Sequence, residues 1–220
     1  AANVVAETVG GSVSLFMQKL NSYLQQMGCG STHFCNPHGL HHPKHVTTAR
    51  DISIIARRAM TLPYFREIAT TMSYECPKTN KQAKREFSQF NALLKKGSQY
   101  YPYAVGIKTG YHSHAKYTLV AAAEKKDRLL IAVLLGCEKN EDRYDDARRL
   151  FEAAFQEKKI RKMIFRKNES FVFNMEGLRQ PLKALLKKDL SLEYYQAEEV
   201  PVKAFLHWAE DLQLPIKKDM

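Results

Sequence analysis

The residues in this chain best suited to chemistry stand together at Lys108-Thr109-Gly110. An ammonium group and a neighbouring hydroxyl can hold a carboxylate between them, one by charge and the other by donating a hydrogen bond. A glycine beside them lets a ligand come close to the backbone. The tripeptide follows the strand-like Val105-Gly106-Ile107 and precedes a turn and a second strand-like run. At the end of an edge strand, such a set can pair with an extended peptide and orient one of its bonds. It binds and positions, and it contains no nucleophile. Taken alone the tripeptide is weak evidence, because one of this composition turns up by chance in roughly one chain in twenty of this length.

Other chemistry-bearing residues are more ambiguous. Five of the eight histidines (His33, His38, His41, His42, His45) fall in one stretch with Cys29 and Cys35 nearby. Imidazole and thiolate are good zinc ligands, but the spacing fits no standard zinc pattern. These residues are read as surface or packing groups, with no metal expected. Tyr111, His112 and His114 line the mouth of a site or form a simple exposed turn. Arg143 lies in the charged stretch Glu141 to Arg149, which by itself reads as a solvated helix start.

The elements that must position these residues are legible in part. From Val4 to Met27 apolar residues recur at three- and four-residue steps, which predicts helix. Gly10-Gly11-Ser12 divides it, with Ser12 capping the second half, and Gly28 and Gly30 end it. Residues 31–46 read as a loop. Thr48-Ala49-Arg50-Asp51 has the capping-box form, predicting a helix over 48–60, and Pro63 begins another helical turn. Residues 71–90 read as short strands with loops. Val105 to Lys108, Tyr117 to Ala123 and Leu129 to Leu135 predict three strands of an antiparallel meander. Asp142 to Lys158 predicts a long helix. Beyond it the short runs Met163 to Phe165, Phe171 to Phe173, Leu190 to Tyr195 and Val200 to Phe205 suggest a small β-rich unit. The fold class expected is α+β, with domains at 1–158 and 159–220.

Composition leaves these readings open and closes others. With 220 residues, 45% hydrophobic and 26% charged, the chain can bury a sizeable core, and disorder is not indicated. No run approaches the roughly 20 apolar residues that span a bilayer. The formal net charge of +11 favours anionic partners without choosing among them. Tyr100-Tyr101-Pro102-Tyr103 beside Lys95-Lys96 is the one hint of a basic nucleic-acid module. The four cysteines make no recognisable disulfide framework, although a Cys29–Cys35 bridge is conceivable.

Several strings together carry a family resemblance. Gly106-Ile107-Lys108-Thr109-Gly110 followed by Tyr117-Thr118-Leu119-Val120-Ala121 resembles the third active-site motif of D-alanyl-D-alanine carboxypeptidases, the low-molecular-mass penicillin-binding proteins. Upstream, Phe16 to Asn21, Thr32-His33-Phe34, His38-Gly39-Leu40 and Thr48-Ala49-Arg50-Asp51 match that family in order and spacing. Downstream, Arg128 to Gly136 resembles its next strand, and Arg143 stands where it has an arginine leading into a helix. The match covers about residues 1–158.

The resemblance implies an antiparallel sheet flanked by helices and a serine-type carboxypeptidase with no cofactor. Its substrate would be a peptidoglycan stem peptide ending in D-Ala-D-Ala, with β-lactams as inhibitors and no nucleic-acid partner. Lys108, Thr109 and Gly110 would bind substrate, and Arg143 would assist through its charge. The nucleophilic serine, its lysine base and the SxN motif are expected upstream of Ala1, so this chain holds no catalytic residue. The family is extracytoplasmic or periplasmic and is tethered to the cytoplasmic membrane by a C-terminal anchor, which lies outside this chain. Tyr111 and Phe90 depart from residues common in the family at those positions. The alternative is a non-catalytic cell-wall interaction domain.

Overall fold

The computed structural model describes residues 1–174, 180–198 and 202. It divides into two units, Ala1–Gln156 and Glu157–Met220.

The first unit opens with helices α1 (Ala2–Gly10) and α2 (Val13–Gln26). Ser12 caps α2 by accepting the Leu15 N–H at 3.2 Å. Gly28, at φ +84°, takes the left-handed conformation that ends α2, and the Cys29 N–H returns to the Leu24 carbonyl at 2.9 Å. Helices α3 (Ala49–Met60) and α4 (Pro63–Thr70) follow the 31–46 loop. Thr48 accepts the Asp51 N–H at 3.1 Å, which is one half of a capping box. The other half is missing because the Asp51 carboxylate is used elsewhere.

A short hairpin, β1 (Ser73–Cys76) with β2 (Arg85–Ser88), and a 3₁₀ turn at Ala92–Leu94 lead into the central sheet. That sheet is the expected meander of β3 (Ala104–His112), β4 (Lys116–Lys125) and β5 (Arg128–Cys137), antiparallel in the order β3-β4-β5. Helix α5 (Asp142–Gln156) closes the unit. It stops two residues short of the expected Lys158, because Lys159 already belongs to the next strand.

β4 explains why the sheet is covered on both faces. Leu119, Ala121 and Ala123 are fully buried and pack with Tyr144, Ala147 and Phe151 of α5. Ala122 and Val120 pack with Ala56 and Met60 of α3. Alternate residues of one strand thus serve opposite layers, and the run of alanines lets both helices approach closely. Fully burying a side chain of the size of Phe151 contributes about 1.5–3 kcal/mol.

Tyr101 belongs to the same core, stacked 5.7 Å from Phe151 with its hydroxyl donating to Glu152 at 2.8 Å. Burial, then that hydrogen bond, raises its phenol above the ordinary tyrosine range. Tyr103 packs against this cluster, so neither ring is free to stack on a nucleic-acid base.

The second unit pairs β6 (Lys159–Phe165) with β9 (Leu190–Tyr195) and β7 (Ser170–Phe173) with β8 (Leu182–Leu185), both antiparallel. A 3₁₀ turn, Gln196–Glu198, follows. The run expected at Val200 to Phe205 lies outside the described residues apart from Val202. All four cysteines are free, and buried Cys29 places its thiol 3.7 Å from the Asp51 carbonyl rather than against Cys35. No helix among the described residues is long and apolar enough to cross a membrane.

Candidate functional site

β3 is an edge strand, paired on one side with β4 and on the other with no described strand. Lys108 stands opposite Val120, Thr109 opposite Leu119 and Gly110 opposite Thr118. Lys108 is exposed and its ammonium donates to the Thr109 carbonyl. Gly110 is glycine for a reason internal to the sheet, since a Cβ there would fall 2.4 Å from the Thr118 hydroxyl oxygen. Sequence reasoning assigns its smallness to ligand approach. Cross-strand packing demands it as well.

Arg143 is the most heavily engaged residue of the site, at 7% exposure. One terminal nitrogen donates to the Gly110 and Thr118 carbonyls, each at 2.9 Å. The other donates to Asn140 and, at 3.2 Å, to the Tyr144 hydroxyl. Its guanidinium lies 5.2 Å from the Tyr117 ring centre and 4.9 Å from that of Tyr144. Four of the five N–H donors are spent on protein, and the Nε is buried without a partner. Arg143 therefore rivets α5 to β3 and β4 while setting a permanent charge beneath the strand that carries Lys108. A fork of two bonds to a ligand is not available to it.

These residues line a groove of about 810 Å³. Its walls come from the loop at His38 and Gly39, from Phe90 and Ala92, and from Lys108 to His112, with Asn140, Arg143 and Tyr144 at the base. Among the described residues no Asp or Glu lines it, so the fixed charges of that lining are cationic. Phe90 is 80% exposed and Tyr111 67% exposed, and Tyr111 packs its ring 4.6 Å from Tyr117.

The loop wall is held by polar residues whose roles sequence did not reveal. The buried Asp51 carboxylate accepts from the Ser31 N–H at 2.9 Å and the Thr32 hydroxyl at 2.8 Å. Asn21 grips the Phe34 backbone twice, at 2.8 and 2.9 Å. His33 and Val46 form a β-bridge that closes the loop. On the opposite wall Asn91 is wholly buried and caps the 3₁₀ turn through the Leu93 N–H. Thr32 and Asp51 sit inside the strings of the family resemblance, and the capping-box form that also marked Asp51 pointed to a helix start rather than to the loop.

The loop histidines do not gather on one another. His45 stacks on Phe34 at 4.9 Å and accepts the Cys35 N–H, and burial followed by its histidine neighbours lowers its pKa. His38 and His42 each accept a backbone N–H two residues ahead. His41 leaves the loop and stacks on His114. Desolvation, then His114 and His112, holds its pKa below the ordinary imidazole range.

The chain contains one Ser-x-x-Lys spacing, Ser113 to Lys116, and the structure shows why it is not an acylation centre. Both residues lie on the exposed β3–β4 turn, and the Lys116 ammonium is paired with Glu138. Neither burial nor a free amine is present to activate the Ser113 hydroxyl.

The chain resembles known proteins over most of its length. A D-alanyl-D-alanine carboxypeptidase family model matches residues 1–139. The D-alanyl-D-alanine carboxypeptidase DacF of Bacillus subtilis is 28% identical across 99% of this chain and 55% of its own length. DacB2 of Mycobacterium tuberculosis is 35% identical across 70% of this chain and 53% of its own length. The crystal structure of the Streptomyces K15 DD-transpeptidase superposes with a TM-score of 0.65 at 28% identity, covering 70% of this chain and 61% of that one. The chain thus spans about half the length of the curated relatives it matches. The matched stretch contains the α+β sheet, the Lys-Thr-Gly strand and the 31–46 loop, and the chain belongs to the D-alanyl-D-alanine carboxypeptidase family.

Proposed function

We propose that this chain forms the substrate-holding side of a serine-type D-Ala-D-Ala carboxypeptidase acting on peptidoglycan stem peptides. The observation that carries this reading is the edge strand β3, which presents Lys108 and Thr109 to a groove with no acidic residue among its described lining. An extended peptide can add to that edge by backbone pairing, as strands do. Its terminal carboxylate then meets the Lys108 ammonium and the Thr109 hydroxyl, while Arg143 contributes attraction from below without a direct bond.

A serine outside these 220 residues would attack the carbonyl between the two terminal D-alanines, its proton passing to a lysine base. The tetrahedral adduct would expel D-Ala and leave an acyl-enzyme, which water hydrolyses. A β-lactam offers a carboxylate and a strained amide to the same two features, and its acyl-enzyme hydrolyses slowly. The reading places the protein outside the cytoplasm at the membrane surface, where its substrate is, and assigns it no cofactor.

The test is intact mass after incubation with a β-lactam, on this chain and on the protein with its full natural sequence. One drug mass added to the longer protein and none to this chain is the expected result. No adduct on either overturns the acylation reading and leaves a non-catalytic wall-binding domain, and an adduct on this chain would mean that the nucleophile lies within it.

A further inference from the structure

Three imidazoles meet at the rim of the groove. His41 comes from the 31–46 loop, His112 is the last residue of β3, and His114 lies in the turn to β4. One ligand nitrogen from each lies within 4.8 Å of the other two. The His41 and His114 rings stack at 4.1 Å and 7°, with His112 at 5.5 Å from His41 and 5.4 Å from His114. We propose that His41, His112 and His114 form a binding site for a divalent metal ion of the zinc class, which ties the loop wall of the groove to the β3–β4 hairpin.

The donor set selects the class of ion. Three imidazoles with one position left for water is an established zinc arrangement, and nitrogen donors suit zinc, copper and nickel while calcium and magnesium demand oxygen. The geometry is near enough to close. Zinc–nitrogen bonds of about 2.0–2.1 Å in a tetrahedron put ligand nitrogens some 3.3 Å apart. The triad must therefore contract by about 1.5 Å at its widest, which rotamer changes in exposed His41 and His114 can supply. An outer partner is in place, because the Ser113 hydroxyl lies 3.3 Å from Nδ1 of His114 and can receive its N–H, leaving Nε2 as the ligand. At His112 the 3.3 Å contact from the His114 backbone N–H to Nδ1 is long and easily displaced.

Spacing along the chain conceals this site. His112 and His114 form too short a pair to signal anything, and His41 is masked by loop histidines that the structure sends elsewhere. The expectation of no metal weighed His41 with the loop histidines and cysteines and did not set it beside His112 and His114. An ion here would also matter to the groove. His41 follows Gly39 by two positions and His112 follows Gly110 by two, and both glycines are in the lining. The clamp would fix one end of the groove whatever substrate the groove holds, so this inference does not depend on the carboxypeptidase reading.

Calorimetric titration with zinc chloride, on the protein with its full natural sequence, tests it. The parent is expected to bind one zinc per chain in the micromolar range, unaffected by excess magnesium. His41→Ala and His114→Ala should each weaken binding about tenfold or more. His42→Ala removes an adjacent exposed histidine outside the triad and should bind like the parent. Circular dichroism of each variant confirms that the fold is kept. The proposal is overturned if the parent takes up no zinc in that range, if the His41 and His114 variants titrate like the parent, or if His42→Ala weakens binding equally.

Discussion

Lys108 and Arg143 are both cations at one groove, yet they should fail differently. Lys108 is exposed and contributes nothing to the core, so Lys108→Ala should leave the denaturation midpoint unchanged. A charge-assisted hydrogen bond to a ligand is worth about 1.5–3 kcal/mol, and acylation of the full-length protein by a β-lactam should slow by roughly 10- to 100-fold. Arg143 is buried and joins three elements through four hydrogen bonds. Arg143→Ala should cost about 3 kcal/mol in denaturant unfolding, and Arg143→Lys should not rescue it, because an ammonium cannot reproduce the planar fork. Unchanged stability in Arg143→Ala would return it to the role of a solvated charge. Gly110 gives a third contrast: Gly110→Ala forces a methyl against Thr118 and should destabilise by about 1–3 kcal/mol. Adding Thr118→Ala should restore more than half of that loss. The Lys-Thr-Gly string was legible because its residue types announce their chemistry. The rivet made by Arg143 was not, since a buried arginine on carbonyls and an exposed one in a charged helix read alike.

The elements that could be anticipated are those with a helical apolar period or a continuous apolar run. α3 shows apolar positions at helical steps behind a threonine cap, and β4 is a run that buries both faces between helices. β1 and β2 fall in residues 71–90, expected as short strands with loops, but nearly every residue in them is exposed, so no buried face fixed their bounds. The loop of residues 31–46 is harder still: it has no period at all, and its shape is set by contacts from distant residues. Asp51 is the decisive one, with a carboxylate 2% exposed serving two donors of the loop start. Asp51→Ala leaves the Ser31 N–H and Thr32 hydroxyl without partners and removes a charged acceptor, a loss of about 1–3 kcal/mol. Amide exchange in residues 31–47 should accelerate while β4 and α5 remain protected. Equal acceleration throughout would mean that Asp51 supports the whole unit rather than the loop.

At the scale of the whole molecule, every described residue that lines the groove falls between His38 and Tyr144, inside the first unit. That unit is finished by α5, whose Phe151 is buried against the sheet and whose Phe155 packs beside it. The described strands of the second unit pair with one another. The composition shift near residue 158 hinted at such a division, since short strand-like runs replace helical periodicity there. What those runs pair with was not legible, because β6 finds its partner β9 across the intervening β7 and β8. That placement of the groove has a consequence for activity. Distant, independent changes alter one another's free energies by only about 0.3–0.5 kcal/mol, which is about a factor of two in rate. The natural protein terminated at Gln156 should therefore be acylated by a β-lactam within about twofold of the full-length rate, provided circular dichroism shows its fold retained. A loss of an order of magnitude with the fold intact would mean that the second unit shapes the groove, and the function would then belong to both units together.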